Sequence, residues 1–229
     1  MSAFLLSFKL AAWTTLILLP VGFFVGRWLA TTHRRSKPLI ESLLLLPLLL
    51  PPTVLGFYLL LVFSPTSISG RVLQSLFGTP LAFSFTGLVV ASVLVNLPFA
   101  VQPVQQAFSS IHTDIREAAW VSGLNRWQTL WKIELPLTWQ GVLCAATLTF
   151  AHTMGEFGVV LMIGGNIEDE TRTASIAIYD SVQAFDMQGA GFMTVGLVMF
   201  SLLALWIVRL CAPGNHSNRT FLRYGESKK

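Results

Sequence analysis

Apolar residues fall in five long blocks along the 229-residue chain, at 4–29, 39–63, 81–101, 138–163 and 192–211. Each block is near or above the roughly 17 to 25 residues that a tilted helix needs to cross about 30 Å of hydrocarbon. None alternates between apolar and polar residues as a strand of a membrane barrel does. The pattern predicts an all-α, polytopic membrane protein with about five transmembrane helices, in a single transmembrane domain over residues 1–229.

The composition excludes several other classes of protein. Hydrophobic residues make up 53% of the chain and charged residues 11%, against about 45 to 50% and about 25% in soluble domains. The apolar content excludes a disordered chain, and two cysteines are too few for a disulfide scaffold. Because Cys144 and Cys211 fall in different predicted spans, we expect both to be packing residues.

The basic residues indicate the orientation. Twelve of the fifteen Lys and Arg residues lie in alternate loops, which all fall on the same side of the membrane, and Lys9, Arg71 and Arg172 fall on the opposite side. The twelve are Arg27, Arg34, Arg35, Lys37, Arg116, Arg126, Lys132, Arg209, Arg219, Arg223, Lys228 and Lys229. Short cytoplasmic loops hold an excess of such residues, so five spans place the N-terminus outside and the C-terminus in the cytoplasm. The net charge of +4 then reflects topology and anionic lipid, and no nucleic-acid partner is expected.

The first block has one feature of a cleaved signal peptide, since Lys9 precedes an apolar run. However, the stronger basic cluster follows the run, and the run exceeds the roughly 7 to 15 apolar residues of a signal peptide. We therefore predict that this block is retained as the first span.

The loop between the third and fourth blocks, residues 102–137, is longer than a connection between two helices requires. Asp114 and Glu117 have the spacing of a capping box, which predicts a short helix starting there. Gly123 can end that helix in a left-handed turn. The loop is therefore predicted to have helical structure of its own.

A second helix is predicted in the same loop. Trp127, Leu130 and Trp131 recur at helical spacing and give one apolar face, closed before Pro136. Two interpretations of the helix pair stay open at this point: an interfacial hairpin lying on the bilayer, or a docking site for a partner.

Catalytic chemistry finds little support. His152 and Glu156 share a helical face at the spacing of a metalloprotease motif, but the second His is missing, so no metal site and no catalytic residue are predicted. A hydrogen bond between the two side chains, or two separately solvated groups, is the simpler expectation. The chain has no G-x-x-x-x-G-K-[ST] phosphate loop and is not expected to hydrolyse ATP itself.

Prolines interrupt the predicted spans. Pro47, Pro51 and Pro52 remove backbone donors from the second block and predict a kink or an unwound turn in its cytoplasmic half. Asn96 and Pro98 form a similar pair in the third block, where Asn96 must face the bundle or water. Such a break either lines a cavity or is a static kink set by packing.

Glu156 lies near the outer end of the fourth block, where a carboxylate facing lipid would be costly. We expect it to face the bundle, a dimer seam or outside water. Because it would repel an anion, a structural or gate-closing role, with Arg172 as a candidate partner, is favoured over substrate binding.

Seven residues of the long loop follow a recognisable spacing. They are Glu117, Ala118, Ala119, Gly123, Ile133, Leu135 and Pro136. This spacing resembles the EAA motif of importer permeases of the ATP-binding-cassette class. The resemblance implies that the loop is a coupling helix, which sits in a cleft on a separate ATPase subunit and transmits its closure to the membrane helices. It also implies that ATP and Mg²⁺ are bound by that subunit dimer, with no cofactor on this chain.

Two further stretches narrow the resemblance. The sequence LPLLLPPTVLG at 46–56 and the pair GEFG at 155–158 and ETRT at 170–173 are similar to molybdate importer permeases. Permeases for tungstate, sulfate and thiosulfate share parts of these patterns and stay as alternatives. The resemblance implies an extracytoplasmic molybdate-binding protein, a location in the bacterial cytoplasmic membrane and a type I importer fold. Because five spans are few to enclose a pathway, we expect a homodimer with the pore on its two-fold axis.

Three other function classes fit the sequence less well than an importer permease does. A passive anion channel would conduct without an ATPase and would not need the motif-bearing loop. An intramembrane hydrolase would need a paired nucleophile or metal set, and nothing in the sequence favours an export or scaffold role. The loop at 102–137 discriminates against all three, and the candidate gate residues are Pro51, Pro52, Asn96 and Glu156.

Overall fold

The computed structural model describes residues 3–211, with side chains described through residue 207. Every regular element in this range is helical, so the predicted all-α class is confirmed. The side chain of Arg209 and the basic residues of the C-terminus that follow it lie outside the described residues. The orientation of the termini stays a prediction.

Eleven α-helices follow one another along the described chain. Their bounds are α1 Ala3–Thr31, α2 Lys37–Leu49, α3 Pro52–Phe63, α4 Ile68–Phe77, α5 Phe85–Ser109, α6 Thr113–Val121, α7 Arg126–Thr129, α8 Leu135–Gly155, α9 Gly158–Gly164, α10 Ala174–Gln183 and α11 Met187–Cys211. A π-helical segment, Leu130–Glu134, joins α7 to α8.

Three of these helices are long and apolar enough to cross a membrane: α1, α5 and the described part of α11. Two bent pairs, α2 with α3 and α8 with α9, meet the same criteria if each pair is one span, which gives up to five crossings among the described residues. Helix α5 ends at Ser109, beyond the predicted block 81–101. Helices α4 and α10 occupy segments between the apolar blocks, where the apolar pattern predicted no helix.

Helices α1, α5 and α8 pack together at the centre of the described chain. Small residues let their backbones come close, as in many membrane bundles. A Cβ on Gly22 of α1 would lie 2.6 Å from the carbonyl oxygen of Ala100 on α5, and one on Gly141 of α8 would overlap the side chain of Ala107. The close contact fixes α5 between the two other helices.

The helix break predicted by the prolines of the second block is present. Helix α2 continues through Pro47, and the break falls at Leu50 and Pro51, where α2 and α3 meet at 107°. This angle is much larger than a kink within one helix. Pro51 precedes α3 and Pro52 is its first residue, a position where the missing N–H of proline costs nothing.

The third block has no comparable break. Asn96 and Pro98 both lie inside α5, which is one continuous helix, so the expectation that they would interrupt it was wrong. The helix tolerates a proline here because α1 and α8 pack along it and hold its course.

The fourth block contains a break that the sequence pattern did not predict. Helix α8 ends at Gly155, Glu156 has an extended backbone, and α9 begins at Gly158 with a bend of 60° between the helices. A Cβ on Gly158 would lie 2.8 Å from the Cβ of Pro52. The two breaks of the fold therefore lie against each other.

Candidate functional site

Helix α6 carries the first half of the motif-bearing loop. Glu117 and Ala118 are exposed, whereas Ala119 is buried against the bundle. Trp120 and Val121 add an exposed apolar surface, and Val121 is 90% exposed. The helix therefore presents a small-residue face, a carboxylate and apolar side chains on the surface of the chain.

Gly123 ends this segment in the predicted left-handed turn, with φ of +83°. Its N–H donates to the carbonyl of Trp120 at 3.0 Å, and the N–H of Leu124 donates to that of Ala119 at 3.1 Å. These bonds satisfy carbonyls at the helix end, and glycine is the residue that adopts this conformation without strain.

The predicted capping box of α6 is not formed. The helix begins at Thr113 with His112 as the preceding residue, and no side chain caps it. Asp114 is thus the second residue of the helix instead of its cap, so Glu117 has no cap to bond back to. A capping box occurs instead at the start of α7, between Asn125 and Gln128.

The predicted end of the second helix before Pro136 was also wrong. Helical structure runs from Arg126 to Gly155. The N–H of Leu135 donates to the carbonyl of Leu130, five residues back, in the π-helical segment. This wide turn is followed by Pro136, the second residue of α8, which has no N–H to donate to the preceding turn. Among the remaining motif residues, Ile133 and Leu135 are partly buried and Pro136 is exposed.

A buried ion-pair cluster joins α6 to the bundle. Glu134 is 1% exposed; its Oε2 accepts from Arg27 Nε of α1 at 2.6 Å and its Oε1 from Arg116 Nε of α6 at 2.7 Å. Arg116 also donates through Nη2 to the carbonyl of Phe108 at 2.9 Å, at the end of α5. One carboxylate thus ties α6, α1 and the start of α8 together.

Sequence reasoning missed Glu134, although it lies between two motif positions, Ile133 and Leu135. Sequence reasoning used Arg27 as a signal of orientation, whereas the structure pairs it with Glu134. The available signal was an acidic residue beside an apolar span, with basic residues on the same predicted side of the membrane. That signal indicates that a basic residue pairs with Glu134, but it does not indicate which one.

A cavity of about 580 Å³ lies at the two helix breaks. It is lined by Pro47, Leu48, Leu50, Pro52, Leu55, Val95, Phe99, Ala151, His152, Gly155, Glu156, Phe157 and Gly158. Of the four candidate gate residues, Pro52 and Glu156 line this cavity, Pro51 adjoins it at the first break, and Asn96 lies behind it on α5. The geometry favours the interpretation that the broken helices line a cavity.

Asn96 is fully buried and connects the polar side chains of the cavity wall. Its Nδ2 donates to the carbonyl of Ser92 at 2.8 Å and to Glu156 Oε2 at 3.3 Å. Its Oδ1 lies 2.9 Å from Nδ1 of His152. Ser92 Oγ also donates to Glu156 Oε2 at 3.4 Å, whereas Glu156 Oε1 is buried without a partner.

Glu156 has hydrogen-bond partners other than the two that the sequence predicted, His152 and Arg172. His152 is linked to Glu156 through Asn96 instead of directly. Arg172 pairs with Asp180 at 2.9 Å and with Glu168 at 3.9 Å, and not with Glu156. The carboxylate faces the bundle as predicted, but its partners are uncharged.

Comparison with known proteins places the chain in a family. Residues 19–216 match the model of the binding-protein-dependent transport system inner membrane component. The chain belongs to this family. It is thus an inner-membrane component of a transport system, and the permease names of its relatives indicate a transport subunit without a catalytic role.

Members with similar sequences come from several bacteria and algae. A molybdenum transport system permease protein of Azotobacter vinelandii is 47% identical over 206 residues, covering 90% of this chain and 91% of that protein. A putative molybdenum transport system permease protein of Bacillus subtilis is 34% identical, covering 89% and 90%. A probable sulfate transport system permease protein of Chlorella vulgaris is 29% identical, covering 90% and 77%.

The fold of this chain also matches the folds of solved structures. A structure of the MetNI methionine ABC transporter in an inward-facing conformation superposes with a TM-score of 0.65 at 18% sequence identity, covering 92% of this chain and 93% of that chain. The similarity supports the fold of an ATP-binding-cassette importer permease.

Proposed function

We propose that this chain is the permease subunit of an ATP-driven importer of molybdate, fed by an extracytoplasmic molybdate-binding protein. The molybdenum permease of Azotobacter vinelandii, at 47% identity over nearly the whole chain, supports molybdate as the substrate. A sulfate permease at 29% identity covers a similar share of the chain, which keeps another oxyanion as the alternative.

The observation that carries the proposal is the geometry of α6. The helix exposes Glu117, Ala118, Trp120 and Val121. The ion pair between its Arg116 and Glu134 holds the helix against the rest of the chain. Small residues allow close approach of a partner, and the exposed aromatic and apolar groups are of the kind enriched in the core of interfaces. An anchored, exposed helix is suited to receiving force from an ATPase subunit, and a passive channel has no need of one.

In this proposal a dimer of cytoplasmic ATPase subunits binds ATP and Mg²⁺, and this chain holds no cofactor. Two copies of the chain form the pathway on a two-fold axis, with their N-termini outside and their C-termini in the cytoplasm. Closure of the ATPase dimer moves α6, and the motion reaches α1 and α8 through Glu134. The cavity at the helix breaks is the candidate section of the pathway where the gate opens.

The test is reconstitution of the purified chain with its co-purifying ATPase and its binding protein in proteoliposomes. We expect ATP hydrolysis to rise with molybdate at far lower concentration than with sulfate, with tungstate measured in parallel. Equal stimulation by sulfate would retain the transporter class and exclude the molybdate assignment. If no ATPase co-purifies and no anion changes hydrolysis, the proposal fails.

A further inference from the structure

The cavity at the two helix breaks has an almost entirely apolar lining. Among its lining residues only His152 and Glu156 carry a polar side chain. Glu156 is 7% exposed, with Oε2 turned toward Asn96 and Ser92 on α5, whereas His152 is exposed in the single chain. A ligand in the cavity would therefore meet the imidazole before the carboxylate.

The hydrogen bonds of Asn96 determine which ring nitrogen of His152 carries a hydrogen. The carbonyl of Ser92 can only accept, so the Asn96 atom that lies 2.8 Å from it must be the donor Nδ2. The amide oxygen then faces His152, and Nδ1 must donate to it across 2.9 Å. The hydrogen on Nδ1 is thus assigned from the network.

The other ring nitrogen, Nε2, belongs to a side chain that lines the cavity. The described part of the chain provides no hydrogen-bond partner for it. The ring of Phe99 stacks on the imidazole with centroids 4.1 Å apart and planes 27° apart. The hydrogen bond at Nδ1 and the stacking on Phe99 together fix the orientation of the imidazole ring. The direction of Nε2 is therefore set before a ligand binds.

We propose that Nε2 of His152 contacts the transported anion, a tetrahedral oxyanion, as it crosses the cavity. The inference rests on the proposed function, which supplies the class of ligand. When Nε2 takes up a proton that enters the cavity together with the anion, Nε2–H donates to an oxygen of the anion, and the Glu156 carboxylate provides the counter-charge through Asn96. Because the contact is a single charge-assisted bond, it passes the anion on instead of retaining it.

Among the described residues that line the cavity, none is a Lys or an Arg, which supports this choice. Arg172 is paired with Asp180, and the cluster around Glu134 uses Arg27 and Arg116. His152 is therefore the side chain of the cavity lining that can carry a positive charge toward an anion. Sequence reasoning had considered this residue as an incomplete metal ligand and as a hydrogen-bond partner of Glu156.

The experiment compares uptake of molybdate and ATP hydrolysis in proteoliposomes that hold the full complex and the loaded binding protein. His152→Ala should lower the molybdate transported per ATP about tenfold, as loss of one charge-assisted hydrogen bond predicts. Stimulation of ATP hydrolysis by the loaded binding protein should persist, because that step precedes passage through the cavity. His152→Lys restores a cation and should recover most of the transport.

Matched controls separate this inference from the proposed function. His33→Ala makes the same chemical change after α1, outside the lining of the cavity, and should leave transport per ATP unchanged. If the unsubstituted complex does not transport molybdate, the proposed function fails. If it does transport, normal transport by His152→Ala, or an equal loss with His152→Lys, overturns the role of His152.

Discussion

Glu134 and Glu156 are both buried, 1% and 7% exposed, yet their surroundings differ in charge. Glu134 accepts from two arginines at 2.6 and 2.7 Å, one on each carboxylate oxygen. Glu156 has the amide of Asn96 and the hydroxyl of Ser92 at 3.3 and 3.4 Å, both on the same oxygen. The first carboxylate is fully paired, and the second has one oxygen without a partner.

The difference indicates two mechanical roles. Short ion pairs to two helices make the region around Glu134 a fixed joint, because breaking either pair removes a charge-assisted hydrogen bond from a buried carboxylate. Longer, neutral contacts at Glu156 lie beside two helix breaks and a cavity, where rearrangement costs less. An importer needs both: a stiff connection to the ATPase and a section of the pathway that can open.

The largest expected effect is at the fixed joint. Glu134→Ala leaves Arg27 and Arg116 without a buried counter-charge, and we expect a loss of about 3 to 5 kcal/mol of stability. The melting temperature of the purified complex should fall strongly, and little intact complex should be recovered.

Glu168→Ala is the matched control, because the Glu168 side chain is 82% exposed and its pair with Arg172 spans 3.9 Å. This variant should melt close to the unsubstituted protein, since exposed pairs contribute little. A Glu134→Ala complex as stable as this control would contradict the fixed-joint interpretation.

A smaller effect is expected at the turn after α6. Gly123 has φ of +83°, and no atom lies within 4 Å of the position that a Cβ would take. A side chain there therefore strains the backbone without a clash. Gly123→Val should cost about 1 to 2 kcal/mol locally and should reorient α6. We expect transport per ATP to fall while membrane insertion is retained.

Gly191→Val is the control for Gly123→Val. Gly191 lies in α11 with similarly open space and an ordinary helical backbone. Measurement of uptake and ATP hydrolysis in the same proteoliposomes separates the two effects. Normal transport by Gly123→Val would count against α6 as the coupling helix.

Some local features could be predicted from sequence, whereas others, such as the capping box of α6 and the helix end before Pro136, were predicted wrongly. The left-handed turn at Gly123 and the break at Pro51 each depend on one residue with a restricted or unusual backbone. Because lipid offers no hydrogen-bond partner, Asn96 was expected to face the bundle or water, and it is buried in the bundle. In each case the physical constraint acts within a few residues of the position that shows it.

Partners distant in sequence were the part that could not be predicted. Glu134 and Arg27 are 107 positions apart, and Glu156 and Asn96 are 60 positions apart. Many pairings satisfy a buried carboxylate, so only the packing of α1, α5 and α8 selects one. The Arg172 partner expected for Glu156 was wrong, because Arg172 pairs with Asp180 at 2.9 Å.

The smallest expected effect is at Glu156, and it sharpens the comparison between the two carboxylates. Glu156→Gln keeps an oxygen that can accept from Asn96 and Ser92, so stability should change by no more than about 1 kcal/mol. If the carboxylate holds the pathway closed, ATP hydrolysis without loaded binding protein should rise, by at most about fivefold for about 1 kcal/mol. The same substitution at Glu134 should be far more destabilising, because one amide oxygen cannot neutralise two arginines. Unchanged transport and unchanged basal hydrolysis in Glu156→Gln would remove the gate role and leave Glu156 as a packing residue.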